Sequence, residues 1–195
     1  CTMRADQGFR MTEEQWAICK KSGLRRLLIG VESGSQKMMD WLDKDIKIEH
    51  VLYCANTCKK YGIHAIFPFI VGFPGESDES VNATVSFIQE LKSISEDFQI
   101  QIFYFKPYPG SKITQDEEKA GFQLPASTDE WAAFDYIGSG GPWVSKEKFL
   151  FFENFKFYLK LGFGQKRRYL FPFIRIAKWR CKSKQFSFPI ERIMA

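Results

Sequence analysis

The chain has 195 residues, 45% of them hydrophobic and 26% charged, with a formal net charge of +5. These totals suit one well-filled core with room for an appendage, under an ordinary globular surface. No stretch reaches the roughly 18 uninterrupted apolar residues of a membrane span, and the start CTMRADQGFR has neither a signal-peptide apolar region nor an initiator Met, so it reads as a sequence entered midway.

Thr12-Glu13-Glu14-Gln15 is a capping-box pattern and Gly23 a stop signal, and between them lies a short amphipathic helix. Leu27 to Val31 is too short an apolar run for a typical helix and predicts a buried strand. Ser35 to Leu42 predicts a short helix. Ile48, Val51, Leu52, Ala55 and Cys58 recur at helical spacing, and Gly62 closes that element. Ile63 to Val71 predicts a second buried strand. Ser77 or Asp78 caps a helix striped by Val81, Val85, Ile88 and Leu91, and Phe98 to Phe105 predicts a third strand. Nearly apolar strands alternating with helices predict an α/β fold of parallel strands covered on both sides: part of a (βα) barrel, or an open doubly wound sheet. Three strands cannot close a barrel, so the missing ones are expected upstream.

After Pro107 the pattern changes. PYPGS (Pro107 to Ser111) is a turn, Ile113 to Ala120 a helix ending at Gly121, and Leu124 to Trp143 a loop-rich stretch whose Gly138 to Trp143 is expected over the barrel mouth. Ser145 caps a helix through about Leu161 with aromatics on nearly every face. From Gln165 to Ala195 there are nine Lys or Arg and one acid, Glu191, interrupted by Pro172 and Pro189. The expected division is 1–113 for the barrel part, 114–164 for a helical and loop extension, and 165–195 for a basic, aromatic tail.

The five cysteines, Cys1, Cys19, Cys54, Cys58 and Cys181, are scattered and odd in number, which points to a reducing cytosol rather than a secreted disulfide framework. Cys54 and Cys58 share a helix face and read as core residues, because no third or fourth metal ligand lies nearby. His50 and His64 read as structural, and Tyr104 and Tyr108 as packing residues.

In βα arrays function gathers where strands end and loops converge. Arg4, Glu32-Ser33-Gly34-Ser35, Gly72-Phe73-Pro74-Gly75-Glu76 and Pro107-Tyr108-Pro109-Gly110 all fall at such ends. Glu32 can accept from ribose hydroxyls or an amino group, and Ser33 and Ser35 can donate and accept. Gly34 allows close backbone approach, and Arg4 offers a fork that matches a carboxylate. Gly72 and Gly75 leave room for a flat ring, with Ile70 and Phe73 to pack on its faces. Together they suit a molecule with adenine, ribose and an amino-acid end.

GVESGS (Gly30 to Ser35) and IVGFPGE (Ile70 to Glu76), about 40 residues apart, resemble the fourth and fifth strand ends of radical S-adenosylmethionine (SAM) barrels. The resemblance covers about Cys1 to Ile113. It implies that Arg4, Glu32, Ser33, Ser35, Ile70, Gly72 and Phe73 contact SAM, with Arg4 at the methionine carboxylate or the substrate. It further implies reductive cleavage of SAM by a 4Fe–4S cluster, giving a carbon radical that abstracts hydrogen. The family's CxxxCxxC motif is absent; Cys54 to Cys58 copies only its first spacing and sits in a helix. The cluster ligands are therefore expected upstream, and this segment alone is expected to be inactive. The pattern is most similar to members with an N-terminal cobalamin-binding domain, such as the anaerobic magnesium-protoporphyrin cyclase and several methyltransferases, which adds cobalamin to the candidate cofactors. Methylthiotransferases share IVGFPGE but typically carry an Arg-containing turn that KPYPGS lacks, and rank second. A non-catalytic half-barrel scaffold is a further alternative. No catalytic residue and no metal ligand is assigned.

The expected partners are a small-molecule substrate and the N-terminal portion of the same protein. The tail has three readings: a helical extension wrapping the body, contact with an anionic membrane surface, and contact with nucleic acid. The first is preferred, and no compact nucleic-acid motif supports the last. The expected location is cytoplasmic, with the inner face of the membrane as a peripheral site.

Overall fold

Local capping signals set several helix starts. Gln15 N–H donates to the Thr12 hydroxyl at 3.3 Å and Thr12 N–H to the Gln15 side chain at 2.9 Å, closing the expected box. Ser77, Ser111, Ser127 and Ser145 each accept from a backbone N–H three residues on. In the computed structural model, which describes residues 1–134, 141–164, 170–186, 189 and 192, the elements run β1 (Thr2–Arg4), α1 (Ala5–Arg10), α2 (Glu13–Lys21), β2 (Arg26–Gly30), α3 (Gln36–Trp41), α4 (Ile48–Lys60), β3 (His64–Val71), α5 (Asp78–Ile94), β4 (Gln99–Tyr104), α6 (Lys112–Lys119), α7 (Thr128–Ala133), α8 (Lys146–Phe163) and α9 (Phe171–Ser183).

The strands form one parallel sheet in the order β1-β2-β3-β4. The described residues thus make a partial (βα) barrel with a helical, aromatic-rich C-terminal part. The strand end expected before Arg4 is β1. Two helices go beyond the sequence reading: α1, held by an Asp6–Arg10 pair one turn apart, and α7, inside the stretch expected to be loop-rich.

The sheet is not covered on both sides as expected. In β3 burial alternates residue by residue: Ala65, Phe67, Phe69 and Val71 are buried, whereas His64, Ile66, Pro68 and Ile70 are half-buried. The buried set shares a core with Val51, Cys54, Ala55 and Cys58 of α4 and Val85, Ile88 and Leu91 of α5. The other set shares its face with Leu28 of β2 and with Gln99, Gln101 and Phe103 of β4, paired in register. Those paired partners are half-buried apart from Phe103, which is exposed. Strand periodicity of two makes this split unavoidable: one face meets helices, the other opens inward.

The aromatics of α8 add Phe152, Phe155 and Tyr158 to the same core, joined by Ala177 and Cys181 of α9 and by Phe186. Tyr104 stacks on Phe149 at 5.2 Å, and its hydroxyl donates to Glu153 at 3.0 Å, so this tyrosine ties the sheet to α8. The expected glycine-rich cover at the barrel mouth falls partly outside the described residues, which omit 135–140; Trp143 at its end packs against Phe105 and Phe122. Among the described residues no helix is long and apolar enough to cross a membrane.

Candidate functional site

The site begins with a proline in a paired strand. Pro68 has no N–H to donate to the β2 side of the ladder. Regular β2–β3 pairing ends with Leu28 opposite Ile66, and the next bridge joins Glu32 to Phe69, a register slip of one residue. Glu32 absorbs the extra residue in a left-handed conformation with φ +66°. Its N–H donates to the Pro68 carbonyl at 3.2 Å, and its carbonyl accepts from Ile70 N–H at 2.7 Å. A non-glycine residue held this way carries about 1–2 kcal/mol of strain and persists only where the surroundings over-determine it.

This bulge sets the Glu32 side chain beside an ion-pair chain. Lys44 Nζ lies 3.0 Å from Glu32 Oε1, with the two side chains 37% and 17% exposed. Arg4, at the end of β1, donates to the Lys44 carbonyl at 2.8 Å and pairs with Asp6 at 3.0 Å. Burial opposes ionisation of Asp6, but Arg4 and Arg10 outweigh it and hold the carboxyl below its ordinary value. Arg4 therefore braces the loop carrying Lys44, a use of its fork that differs from the expected ligand contact. Nothing in the sequence pattern singled out Lys44, because it sits in a turn with no periodicity.

Glu32, Ile70 and Phe73 line one cavity of about 380 Å³, together with Leu42, Lys44, the β4 end from Phe103 to Lys106, and Tyr108. That volume lies within the roughly 300–1,000 Å³ of small-molecule sites. Phe73 and Phe105 form its aromatic wall, 4.9 Å apart, and Trp143 backs Phe105 at 5.5 Å from outside the lining. Lys106 is buried at this end and lies 5.0 Å from the Phe134 ring centre. Phe105 and Lys106 could have been found in the sequence as the residues that close a strand.

Ser33 and Ser35, expected at a ligand, face α5 instead. Ser33 Oγ and Thr84 Oγ1 are 3.2 Å apart, Ser35 Oγ donates to Ser80 Oγ at 3.3 Å, and neither serine lines the cavity. The reason is parity: beyond the Glu32 bulge, the next side chain turns to the helix-covered face. Gly34 likewise serves a helix. A Cβ there would lie 2.6 Å from Thr84 Cα and 2.7 Å from Phe87 Cβ.

The glycine loop is held from beneath. Gly72, with φ +78°, donates its N–H to Glu76 Oε2 at 2.6 Å; Ile70 and Phe73 on either side reach the cavity, while Gly72 does not line it. Glu76 is buried, and its Oε1 has no hydrogen-bond partner. Lys148 in the first turn of α8 donates to the Glu76 carbonyl at 3.1 Å and pairs with Asp78 at 2.9 Å. Burial pushes the Glu76 carboxyl above its ordinary value near 4.5, against the Gly72 N–H, the Lys148 charge and the Phe73 backbone. The folded chain then binds this proton more tightly than the unfolded one. Stability should fall as pH rises from about 4.5 through the raised native value. Glu76→Gln is expected to remove that fall, seen as a urea midpoint that declines less than wild type between about pH 4 and 7.

Burial pushes the thiols of Cys54, Cys58 and Cys181 up to about 12, so they stand as inert core residues. His50 accepts from Lys47 N–H at 3.3 Å and its ring lies 4.6 Å from Phe9, a structural placement. Among the described residues no group of three or more His, Cys, Asp or Glu side chains is arranged to hold a metal ion. An iron–sulfur cluster needs three converging thiolates, and this chain's cysteines do not fit one.

Residues 7–88 match the family model of the radical SAM superfamily. An uncharacterized methyltransferase of Pyrococcus horikoshii is 34% identical over 94 residues, 48% of this chain and 20% of that protein. An uncharacterized protein of Methanocaldococcus jannaschii is 33% identical over 85 residues, 44% of this chain and 16% of the relative. A tRNA-2-methylthio-N(6)-dimethylallyladenosine synthase of Ehrlichia ruminantium is 32% identical over 83 residues, 42% of this chain and 18% of the synthase. The matched regions span a fifth or less of these relatives' length.

Proposed function

We propose, from the match of residues 7–88 to the radical SAM family model, that this chain supplies the SAM-binding wall of a radical SAM enzyme. What supports the reading is the cavity shared by Glu32, Ile70 and Phe73 at neighbouring strand ends, with an acidic group on one side and aromatic faces on the other. Glu32 would accept from the ribose hydroxyls or the ammonium of SAM. Ile70 and Phe73 would pack on the adenine, and Phe105, backed by Trp143, would help keep water from the site. Lys44 would hold the Glu32 carboxylate until the ligand arrives. Bound SAM supplies the source of the radical that abstracts hydrogen in this family. The 4Fe–4S cluster of the family finds no ligand set among these cysteines.

In this reading the remaining strands and the cluster ligands come from another part of the same protein, added at the exposed β1 edge. The division at about residues 113 and 164 is part of the proposal. The name of the P. horikoshii relative supports a methyl-transferring enzyme. A small-molecule substrate, and cobalamin as the candidate second cofactor, rest on the resemblance of the strand-end motifs alone. A methylthiotransferase acting on tRNA is the second reading, supported by the E. ruminantium relative and weakened by the KPYPGS turn. Calorimetry on the full-length protein should show saturable SAM binding that adenosine and ATP do not match. Equal or tighter binding of another nucleotide would remove the proposal.

A further inference from the structure

The body-facing side of α9 is formed by Ile174, Ala177 and Cys181, all buried. An ordinary surface helix would show polar residues opposite. Here the outward face carries Phe171, Trp179 and Ile176, which are 62%, 56% and 39% exposed. Arg175 and Lys182 are exposed on the same side of the helix. Helical spacing places residues 172, 175, 176, 179 and 182 within one arc of less than half a turn. The other two cations of α9 serve the body: Lys178 pairs with Glu96, and Arg180 lies 5.2 Å from the Tyr158 ring centre. No residue from Phe171 to Ser183 is acidic.

The geometry points to a docking surface for an anionic lipid bilayer on this outward face of α9. Each part of the face has a counterpart there. Trp179 and Phe171 suit the headgroup boundary, where an aromatic ring can sink its apolar body. Ile176 has only the acyl region to gain from. Arg175 and Lys182 meet lipid phosphates, and an acid-free helix meets no repulsion. A single-stranded nucleic acid would use the cations and Trp179 but offers nothing to the aliphatic Ile176, which favours lipid. The surface lies on a helix remote in sequence from the SAM cavity, and the inference stands whether or not that pocket binds SAM.

The test is co-sedimentation of the full-length protein with vesicles of mixed phosphatidylglycerol and phosphatidylcholine, against pure phosphatidylcholine. Binding is expected to the anionic vesicles, weakening with added salt. Arg175→Gln with Lys182→Gln should lower partitioning about 25-fold, at about fivefold per cation removed. Ile176→Ser with Trp179→Ser should lower it roughly tenfold or more. All four side chains face solvent, so both double variants should melt at the wild-type temperature. Three results would overturn the assignment: no vesicle binding by the wild-type protein, equal binding to neutral vesicles, or undiminished binding by both variants. Loss of single-stranded RNA binding in these variants, with no vesicle binding in wild type, would hand the face to nucleic acid instead.

Discussion

Gly34→Ala is expected to lower stability by about 2–3 kcal/mol, as a shift in urea midpoint at unchanged slope. The added Cβ would meet the Thr84 Cα and the Phe87 Cβ below 3.0 Å, and the Ala83 carbonyl oxygen at 3.0 Å. Backbone and near-backbone atoms cannot rotate away, so α5 must move from the loop or the loop from α5. Either motion stretches the bond that Gly34 N–H donates to Thr84 Oγ1 at 3.1 Å and the Ser33–Thr84 hydroxyl contact at 3.2 Å. It also pulls on Glu32, two residues back, so any ligand bound there should weaken in parallel. Stability retained at the wild-type level would mean that this loop and helix do not touch as described.

Glu32→Gly is expected to separate binding from stability. The substitution removes left-handed strain of about 1–2 kcal/mol but adds roughly 0.5–1 kcal/mol of unfolded-chain entropy. It also removes the Lys44 pair, which is partly screened by solvent. These contributions offset one another, so stability should stay within about 1 kcal/mol of wild type. SAM affinity of the full-length protein should fall roughly 10- to 100-fold, the worth of a charged hydrogen bond. Calorimetry and urea unfolding on the same sample check both halves. Unchanged affinity would show that Glu32 does not touch the ligand, and a large loss of stability would show that the ion pair is structural.

The two strand-end motifs teach different lessons. IVGFPGE was legible because glycine and proline spacing constrain the backbone directly, and the loop forms where expected, with Ile70 and Phe73 at the cavity. GVESGS was legible only in part. Its position after β2 was clear, but the destination of each side chain was not, since Ser33 and Ser35 bond to Thr84 and Ser80. Lys148 was beyond reach for another reason: it lies 72 positions from Glu76 in the chain, and no local pattern announces that contact.

Sequence patterning alone was enough for most of the helices, the alternation of strands and helices along the chain, the burial of Cys54 and Cys58, and the placing of acidic and glycine-bearing loops at strand ends. These follow from periodicity, capping and turn chemistry, which act within a few residues. Which candidates share a cavity, and which face of α9 looks outward, depend on contacts between distant parts of the chain. The one-residue slip at Pro68 turns Glu32 inward and the serines toward α5, and such a slip exists only between two strands. The outward aromatics of α9 are recognisable only once Ile174, Ala177 and Cys181 have been buried by α8 and the body. Hydrogen-bond register and packing partners are long-range quantities, so side-chain direction at a strand end or on a terminal helix waits for the fold.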